Sequence, residues 1–328
     1  MLKNKRILFI GPRFFGYEKE IRNNLIDFGA EVDFYDDRPA NDFFTKLFIR
    51  INFQYLVQLK ITKYYQLILR KINSKSYDYI FIISPEVLNR NRLQKIQRTQ
   101  THSKTILYMW DSFKNKDTID MLSLFDKIIT FDNIDAEKYN LEFLPLFYIK
   151  DYEKIENLDT YTYAVSFIGT AHSDRYKIVK SVEQQVKNSD LNIFSFFYLP
   201  SSIIFWIRKL FILKYNYGPI EDFSFSSLTQ SEIISIVGNS KAVLDINHPL
   251  QDGLTSRSIE ALGANRKLIT TNPNIKKYDF YNANNIAVID RDNPILHEDF
   301  FNTNYVQPRI KVYEKYALKN WLKTIFEL

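Results

Sequence analysis

LDINHPLQDGLTSRSIEALGANRKLI, residues 244–269, is the stretch from which the rest of the chain can be read. Its front edge completes a hydrophobic run, residues 242–246, that predicts a buried strand. A polar loop follows, carrying His248, Gln251, Asp252 and Gly253. A short helix is expected at about 255–262, with Thr255 and Ser256 as cap candidates, and a second strand at 267–271. The product is a β–loop–α–β unit whose loop opens at the carboxyl end of a strand, where open α/β sheets bind ligands. The helix start offers free backbone N–H groups and a positive dipole end, which suits a phosphate. Arg257 falls in the first turn and Glu260 three residues later, on the same face. One side chain can meet phosphate charge and the other hydroxyl groups. The competing reading of the same spacing is a solvated i,i+3 ion pair.

Working outward, 328 residues fit two domains of ordinary size. Hydrophobic content of 45% and charged content of 25% are those of a globular protein able to build a core in each half. The absence of cysteine excludes a disulfide framework and a thiolate metal site, and fits a reducing cytoplasm. The apolar run at 7–10 is too short for a secretory leader, and no stretch approaches the ~18 apolar residues of a transmembrane helix. The net charge of +6 is unevenly spread: between residues 43 and 110 the only acids are Asp78 and Glu86, against twelve Lys or Arg. That basic half, rich in Tyr and Phe, suggests an anionic partner or a solvated basic face. No RNA-binding signature accompanies it, so no nucleic acid is expected.

In the first half, residues 6–10 (RILFI) predict a buried strand, 17–28 a helix stopped by Gly29, and 31–35 a second strand. The intervening Gly11-Pro12-Arg13-Phe14-Phe15-Gly16 lacks both the Gly-Lys-Ser/Thr tail of a P-loop and the G-x-G-x-x-G of a dinucleotide fold. Residues 43–72 are amphipathic, with helical spacing through Leu47, Ile51, Tyr55, Leu59 and Ile68, and read as a core helix or a membrane-surface one. Strands are expected at 77–84, 105–110 and 127–131, and helices at 87–97 and 135–139; strand-helix alternation implies a parallel sheet.

The acid-rich segment 151–160 reads as a linker, dividing the chain into domains 1–150 and 151–328. Beyond it come a strand at 163–169, the exit loop Gly169-Thr170-Ala171-His172, a helix at 174–186 that includes Arg175, a strand at 191–198, and an intensely apolar segment at 203–213, either core or membrane-dipping. A helix at 231–237, a last strand at 285–289 and a C-terminal helix at 309–326 complete the reading. Two strand-exit loops in this half, 169–175 and 248–257, each hold a glycine for close backbone approach and an arginine at a helix start. Converging, they would suit a diphosphate.

Ser166-Phe167-Ile168-Gly169-Thr170 with Arg175, and residues 253–262 followed by Lys267-Leu268-Ile269-Thr270-Thr271, resemble the GT-B glycosyltransferases of bacterial surface-polysaccharide assembly, the spore-coat-type, lipopolysaccharide-core and capsule branches above all. The resemblance covers about 165–290 and reaches the first half only as a strand order and the strand-end Trp110-Asp111. It implies an α/β fold of two Rossmann-like domains with parallel sheets facing a cleft, and transfer of a sugar from a nucleotide-sugar to a lipid-linked or cell-surface glycan. Carried over, Gly169, Thr170, His172, Arg175, Gly253, Thr255, Ser256, Arg257 and Glu260 would hold the donor. Gly11, Arg13, Phe14 and Trp110 would lie on the acceptor side. The glycine-rich run usual before the donor helix is thinner here, with only Gly253.

A base for the acceptor hydroxyl should come from the first half; Asp111, a carboxylate at a strand's carboxyl end, is the choice, with His248 and His172 as the other titratable candidates. Asp111 reads equally as a helix cap or loop hydrogen bonder, and His172 and His248 as structural histidines. Asp290-Arg291-Asp292 has D-x-D spacing, but its place after a late strand favours a surface loop. No metal and no cofactor are expected. The expected partners are a nucleotide-sugar, a glycan acceptor and the inner leaflet of the cytoplasmic membrane, placing the protein in the cytoplasm as a peripheral enzyme. A binding protein of the same fold without catalysis is the alternative.

Overall fold

The computed structural model describes residues 1–40, 45, 54–114, 116, 118–186, 192–211, 217–249, 251–297 and 299–328, without the side chains of 54, 55 and 186. They form two compact units, Met1–Pro145 with Trp321–Leu328, and Leu146–Asn320.

The first unit is a six-stranded sheet of β1 (Arg6–Gly11), β2 (Glu31–Asp36), β3 (Tyr79–Ile83), β4 (Lys104–Met109), β5 (Lys127–Thr130) and β6 (Glu142–Phe143). Its order is β2-β1-β3-β4-β5-β6 and every pairing is parallel. The helices are α1 (Tyr17–Asp27), α2 (Gln58–Ile72), α3 (Arg90–Thr99) and α4 (Asn133–Tyr139). Strands covered on both faces need near-continuous apolar runs, and RILFIG and YIFII supply them. Leu8, Ile10, Ile80, Ile82, Leu107 and Met109 form one face of the core with Ile61, Tyr65, Ile68 and Ile72 of α2. The α2 segment is thus a core helix, but its inner face is the 61-65-68-72 row. Leu59, expected inside, is exposed, and Leu47 and Ile51 lie outside the described residues. Helix α3 begins three residues later than expected, at an Asn89 cap, because Val87 and Leu88 donate their N–H groups to the buried Asp37.

The second unit has β7 (Tyr163–Thr170), β8 (Ile193–Tyr198), β9 (Phe223–Ser224), β10 (Ser240–Asp245), β11 (Lys267–Thr270) and β12 (Ile286–Val288). Their order is β12-β11-β10-β7-β8-β9, again all parallel. Its helices are α5 (Lys150–Glu153), α6 (Arg175–Val186), α7 (Ser202–Phe211), α8 (Gln230–Gly238), α9 (Ser256–Gly263), α10 (Asp299–Asn302) and α11 (Ile310–Lys315). Strand β10 sits centrally, with Leu244 in register with Phe167 on one side and Ile269 on the other. The expected linker belongs to this unit: the buried Arg266 donates to Glu156 O at 2.6 Å and Asn157 Oδ1 at 3.0 Å.

The single C-terminal helix expected at 309–326 is two helices, α11 and α12 (Leu318–Phe326). The break falls where Tyr148 pairs as a strand residue with Ala317: Tyr148 N donates to Tyr316 O, and Leu318 N to Tyr148 O, both at 2.9 Å. Beyond the break the chain rejoins the first unit, with Trp321 fully buried edge-on to Tyr108 at 4.6 Å. The two-residue strands β6 and β9 were not anticipated; they are too short to show a pattern. Among the described residues no helix is long and apolar enough to cross a membrane.

Candidate functional site

In the second unit the chain runs outward from β7 through β8 to β9, then returns to the other side of β7 and runs from β10 through β11 to β12. Strands β7 and β10 are hydrogen-bonded neighbours whose connections leave in opposite directions. This is the switch point at which an open sheet leaves a crevice beyond its carboxyl ends. Both loops singled out from the sequence, 169–175 and 248–257, start there.

Arg175 joins them. Its Nε donates to Ile246 O at 2.7 Å and its Nη1 to Thr170 O at 3.1 Å. Gly169 makes room: a Cβ there would stand 3.1 Å from the guanidinium and 2.9 Å from the Phe167 ring. Burial draws the Arg175 pKa down to about 10, against the pull of Asp245. Two further arginines converge on the same edge. Arg208 of α7 donates to Ala171 O at 2.6 Å. Arg291 donates to Asn247 O and to Thr271 Oγ1, and its Nε pairs with Asp174 at 3.0 Å. The D-x-D stretch is therefore divided: Asp290, exposed, accepts from the N–H groups of Asp292 and Asn293 as an Asx turn, while Arg291 between them folds back over the β10 exit. Among the described residues no group of three His, Cys, Asp or Glu side chains is placed to hold a metal.

His172 reports the resulting potential. Burial, then the charges of Arg175, His248, Arg208 and Arg291, push its pKa down to about 2, so it is neutral at any physiological pH. Its Nδ1 lies 3.1 Å from Ser173 Oγ, and the rings of His172 and His248 stand 5.4 Å apart.

Helix α9 is set by Asp245, the last residue of β10. This buried carboxylate accepts from Thr255 Oγ1 at 2.8 Å and from Ser258 Oγ at 2.6 Å, while Thr255 Oγ1 also caps the helix by accepting from Ser258 N. The Thr255 hydroxyl is thereby engaged inward. Gly253 and Asp252 are held through their carbonyls by Asn272 Nδ2. At the other end of α9, a Cβ on Gly263 would be 2.5 Å from the Tyr148 ring, so the helix seats at that depth only with glycine there. Arg257 and Glu260 form an ion pair at 2.5 Å, but not a solvated one: the side chains are 15% and 4% exposed. Burial pushes the Glu260 carboxyl up to about 8. The buried Tyr152 hydroxyl lies close enough to feel the charge of the Arg257 guanidinium.

The first unit is also doubly wound, but in a different order: only β2 lies on one side of β1 and β3 to β6 follow on the other, so its switch falls between β1 and β3. Gly11 ends β1, Arg13 is exposed and stands 3.7 Å from Asp36, and Phe14 meets Trp110 with ring centroids 5.8 Å apart, so of the four expected residues Phe14 and Trp110 come together beside the end of β4. Trp110 N donates to Ser84 Oγ at 2.7 Å, and Asp111 follows it on the partly exposed rim. Below lies a buried polar cluster. Asp37 accepts from Tyr65 Oη and from the N–H groups of Glu86, Val87 and Leu88, at 2.5–2.9 Å. Arg38 stands 3.6–3.7 Å from Asp36 and Glu86, and Lys116 is 2.6 Å from Glu86.

Asp245, Arg208, Arg291 and Tyr152 were not singled out from the sequence as site residues. Asp245 carried a readable signal: a carboxylate ending a buried strand, with hydroxyls ten and thirteen residues on. The other three arrive from remote parts of the chain and carry none.

No protein-family model matches this chain, and no curated protein matches it by sequence. Solved structures do match. A glycosyltransferase from Rickettsia africae ESF-5 is 15% identical with TM-score 0.59, the match covering 99% of this chain and 97% of that one. Anabaena Alr3699/HepE in complex with UDP and glucose is 10% identical with TM-score 0.61, covering 99% of both chains. OtsA in its apo form is 10% identical with TM-score 0.65, covering 98% of both. The chain has the GT-B fold, two Rossmann-like units each built on a parallel sheet.

Proposed function

We propose that the protein is a glycosyltransferase that moves a sugar from a nucleotide-sugar to a lipid-linked or cell-surface glycan, with lipopolysaccharide core and capsule as the acceptor classes to test first. The observation that carries this reading is the convergence of Arg175, Arg208 and Arg291 on the β7/β10 switch point, around a histidine they help keep neutral. Such an edge suits a diphosphate better than a neutral ligand. Support also comes from the fold, which this chain shares with a protein seen with UDP and glucose.

In this reading the bond between the sugar C1 and the diphosphate oxygen breaks, and the electron pair leaves with the nucleoside diphosphate. The acceptor oxygen bonds to C1 and its proton passes to a base. The arginines and the α9 N-terminus stabilise the leaving charge, a role that needs no metal and no cofactor. Gly169, Thr170 and Gly253 supply close backbone, Ser256 and His172 line the donor, and Arg257 with Glu260 fixes its sugar or ribose hydroxyls. The base is assigned to Asp111, with His248 as the alternative. Gly11, Arg13, Phe14 and Trp110 face the acceptor, and the basic stretch 43–110 meets anionic headgroups on the inner face of the cytoplasmic membrane.

A screen of nucleotide-sugars by thermal shift tests the donor site. At about a hundred times Kd a bound donor adds roughly 2.7 kcal/mol of apparent stability. A donor that stabilises the protein and is consumed with an added glycan extract supports the reading. Stabilisation without turnover identifies the non-catalytic binding protein instead, and no stabilisation by any nucleotide-sugar overturns the donor assignment.

A further inference from the structure

Helix α7 is amphipathic in the wrong sense for a helix of a water-soluble surface. Its two charged side chains point inward: Arg208 donates to Ala171 O and Lys209 to Gly218 O at 2.7 Å. Phe205 is fully buried in the core of the second unit, with Ile204 packed beside it. The outward face is Ile203, Trp206, Ile207, Leu210 and Phe211, at the i, i+3, i+4, i+7, i+8 spacing of one continuous stripe. Those five side chains keep between 50% (Trp206) and 80% (Phe211) of their surface exposed. Isolated apolar residues on a surface are ordinary; a contiguous stripe marks an interaction site.

The choice of occupant follows from area and charge. A stable protein–protein interface takes about 800 Å² per partner, more than one face of a three-turn helix supplies, whereas a bilayer sets no such minimum. Residues 191–220 contain no Asp or Glu and carry Arg208, Lys209 and Lys214; Arg208 and Lys209 bond neutral carbonyls that leave their charge uncancelled, and of the acids that follow, Asp222 is paired with Lys180. An indole beside Ile, Leu and Phe is the composition that lies at the headgroup–acyl boundary. We infer that α7 docks the second unit on an anionic lipid surface by inserting this stripe in the plane of the membrane. The inference does not depend on sugar transfer, and it places a lipid contact outside the basic stretch assigned to the membrane above.

Flotation of the purified full-length protein with vesicles tests it. The wild type is expected to float with vesicles of phosphatidylglycerol and phosphatidylcholine in equal parts, and much less with phosphatidylcholine alone. Trp206 fluorescence should be quenched by lipids brominated near the headgroup, a signal lost in Trp206→Phe. Ile207→Glu with Phe211→Glu, both at exposed positions, should lower binding by about tenfold or more, since two apolar side chains no longer leave water. Unchanged flotation of that double variant overturns the inference, as does equal binding to neutral vesicles. Overturning it too would be a wild-type dimer, by sedimentation, that the double variant dissociates. Thermal stabilisation by a donor nucleotide is measured on the same variant, so failure of the lipid contact and failure of the donor site are read separately.

Discussion

Each sheet of this molecule has one switch point, and the two differ in what lines them. At β1/β3 each charge has its answer within the first unit: Asp37 is enclosed by a tyrosine hydroxyl and three N–H groups, and Glu86 lies between Arg38 and Lys116. At β7/β10 the arginines outnumber the carboxylates, and several of their contacts are neutral carbonyls that orient a guanidinium without cancelling its charge. His172, held neutral first by its burial, is pushed further down by that excess. Doubly wound sheets thus make two crevices, and their side chains suit only one of them to an anion.

The sharpest way to break this contrast is at α9. Arg257→Ala is expected to lower sugar transfer by about 10²–10³-fold and, because it strands a buried carboxylate, to lower folding stability by about 3–5 kcal/mol. Replacing both partners, Arg257→Met with Glu260→Met, should restore stability in urea titrations while turnover stays lost. If turnover returns with stability, the pair is purely structural. In the first unit Asp37→Ala should cost on the order of 3 kcal/mol, since it leaves several buried donors unanswered. UDP affinity by calorimetry should not change, and a matching loss of affinity would collapse the distinction between the crevices.

A smaller effect is the pH dependence of His172. Its folded pKa of about 2 lies below the unfolded value of 6.5, so its contribution to stability is present above pH 6.5 and lost as pH falls. The wild type should lose about 1.4 kcal/mol per pH unit below 6.5 relative to His172→Gln, read from urea titrations at several pH values. A saturating nucleoside diphosphate should shrink that slope by adding negative charge beside the ring. Smallest of all, Leu59→Gln on the outer face of α2 should change stability by no more than about 0.5 kcal/mol, whereas Ile61→Ala, two residues on, should cost about 2–5 kcal/mol; thermal melts separate the two.

Of the described strands ten were legible, most as apolar runs because a parallel sheet covered on both faces demands them; β2 (EVDFYD) was legible only from its place after the helix stopped by Gly29. The α9 loop was legible for a different reason: Thr255, Arg257 and Glu260 lie within one helical turn and a half, so local spacing encodes their meeting. The solvated form of the Arg257–Glu260 pair was wrong in one respect, since spacing says which residues meet and not how deep. What closes over them, Tyr152, comes from beyond the reach of any periodicity. Arg291 was hidden more thoroughly. Its acidic neighbours drew the reading toward a metal or a surface loop, while its own contacts run to Asp174, Asn247 and Thr271. The α11/α12 break was equally silent, being set by a strand-like contact with Tyr148.

Arg175 carries a consequence for the rate at which anything leaves this crevice. Its guanidinium is already oriented by Ile246 O and Thr170 O, so a ligand arriving there does not have to freeze a long, freely rotating side chain. Ordering such a side chain on binding costs about 0.5–1.5 kcal/mol, and that loss of freedom has here been taken at folding. The gain should appear as slow dissociation, the step through which related complexes mostly differ in affinity.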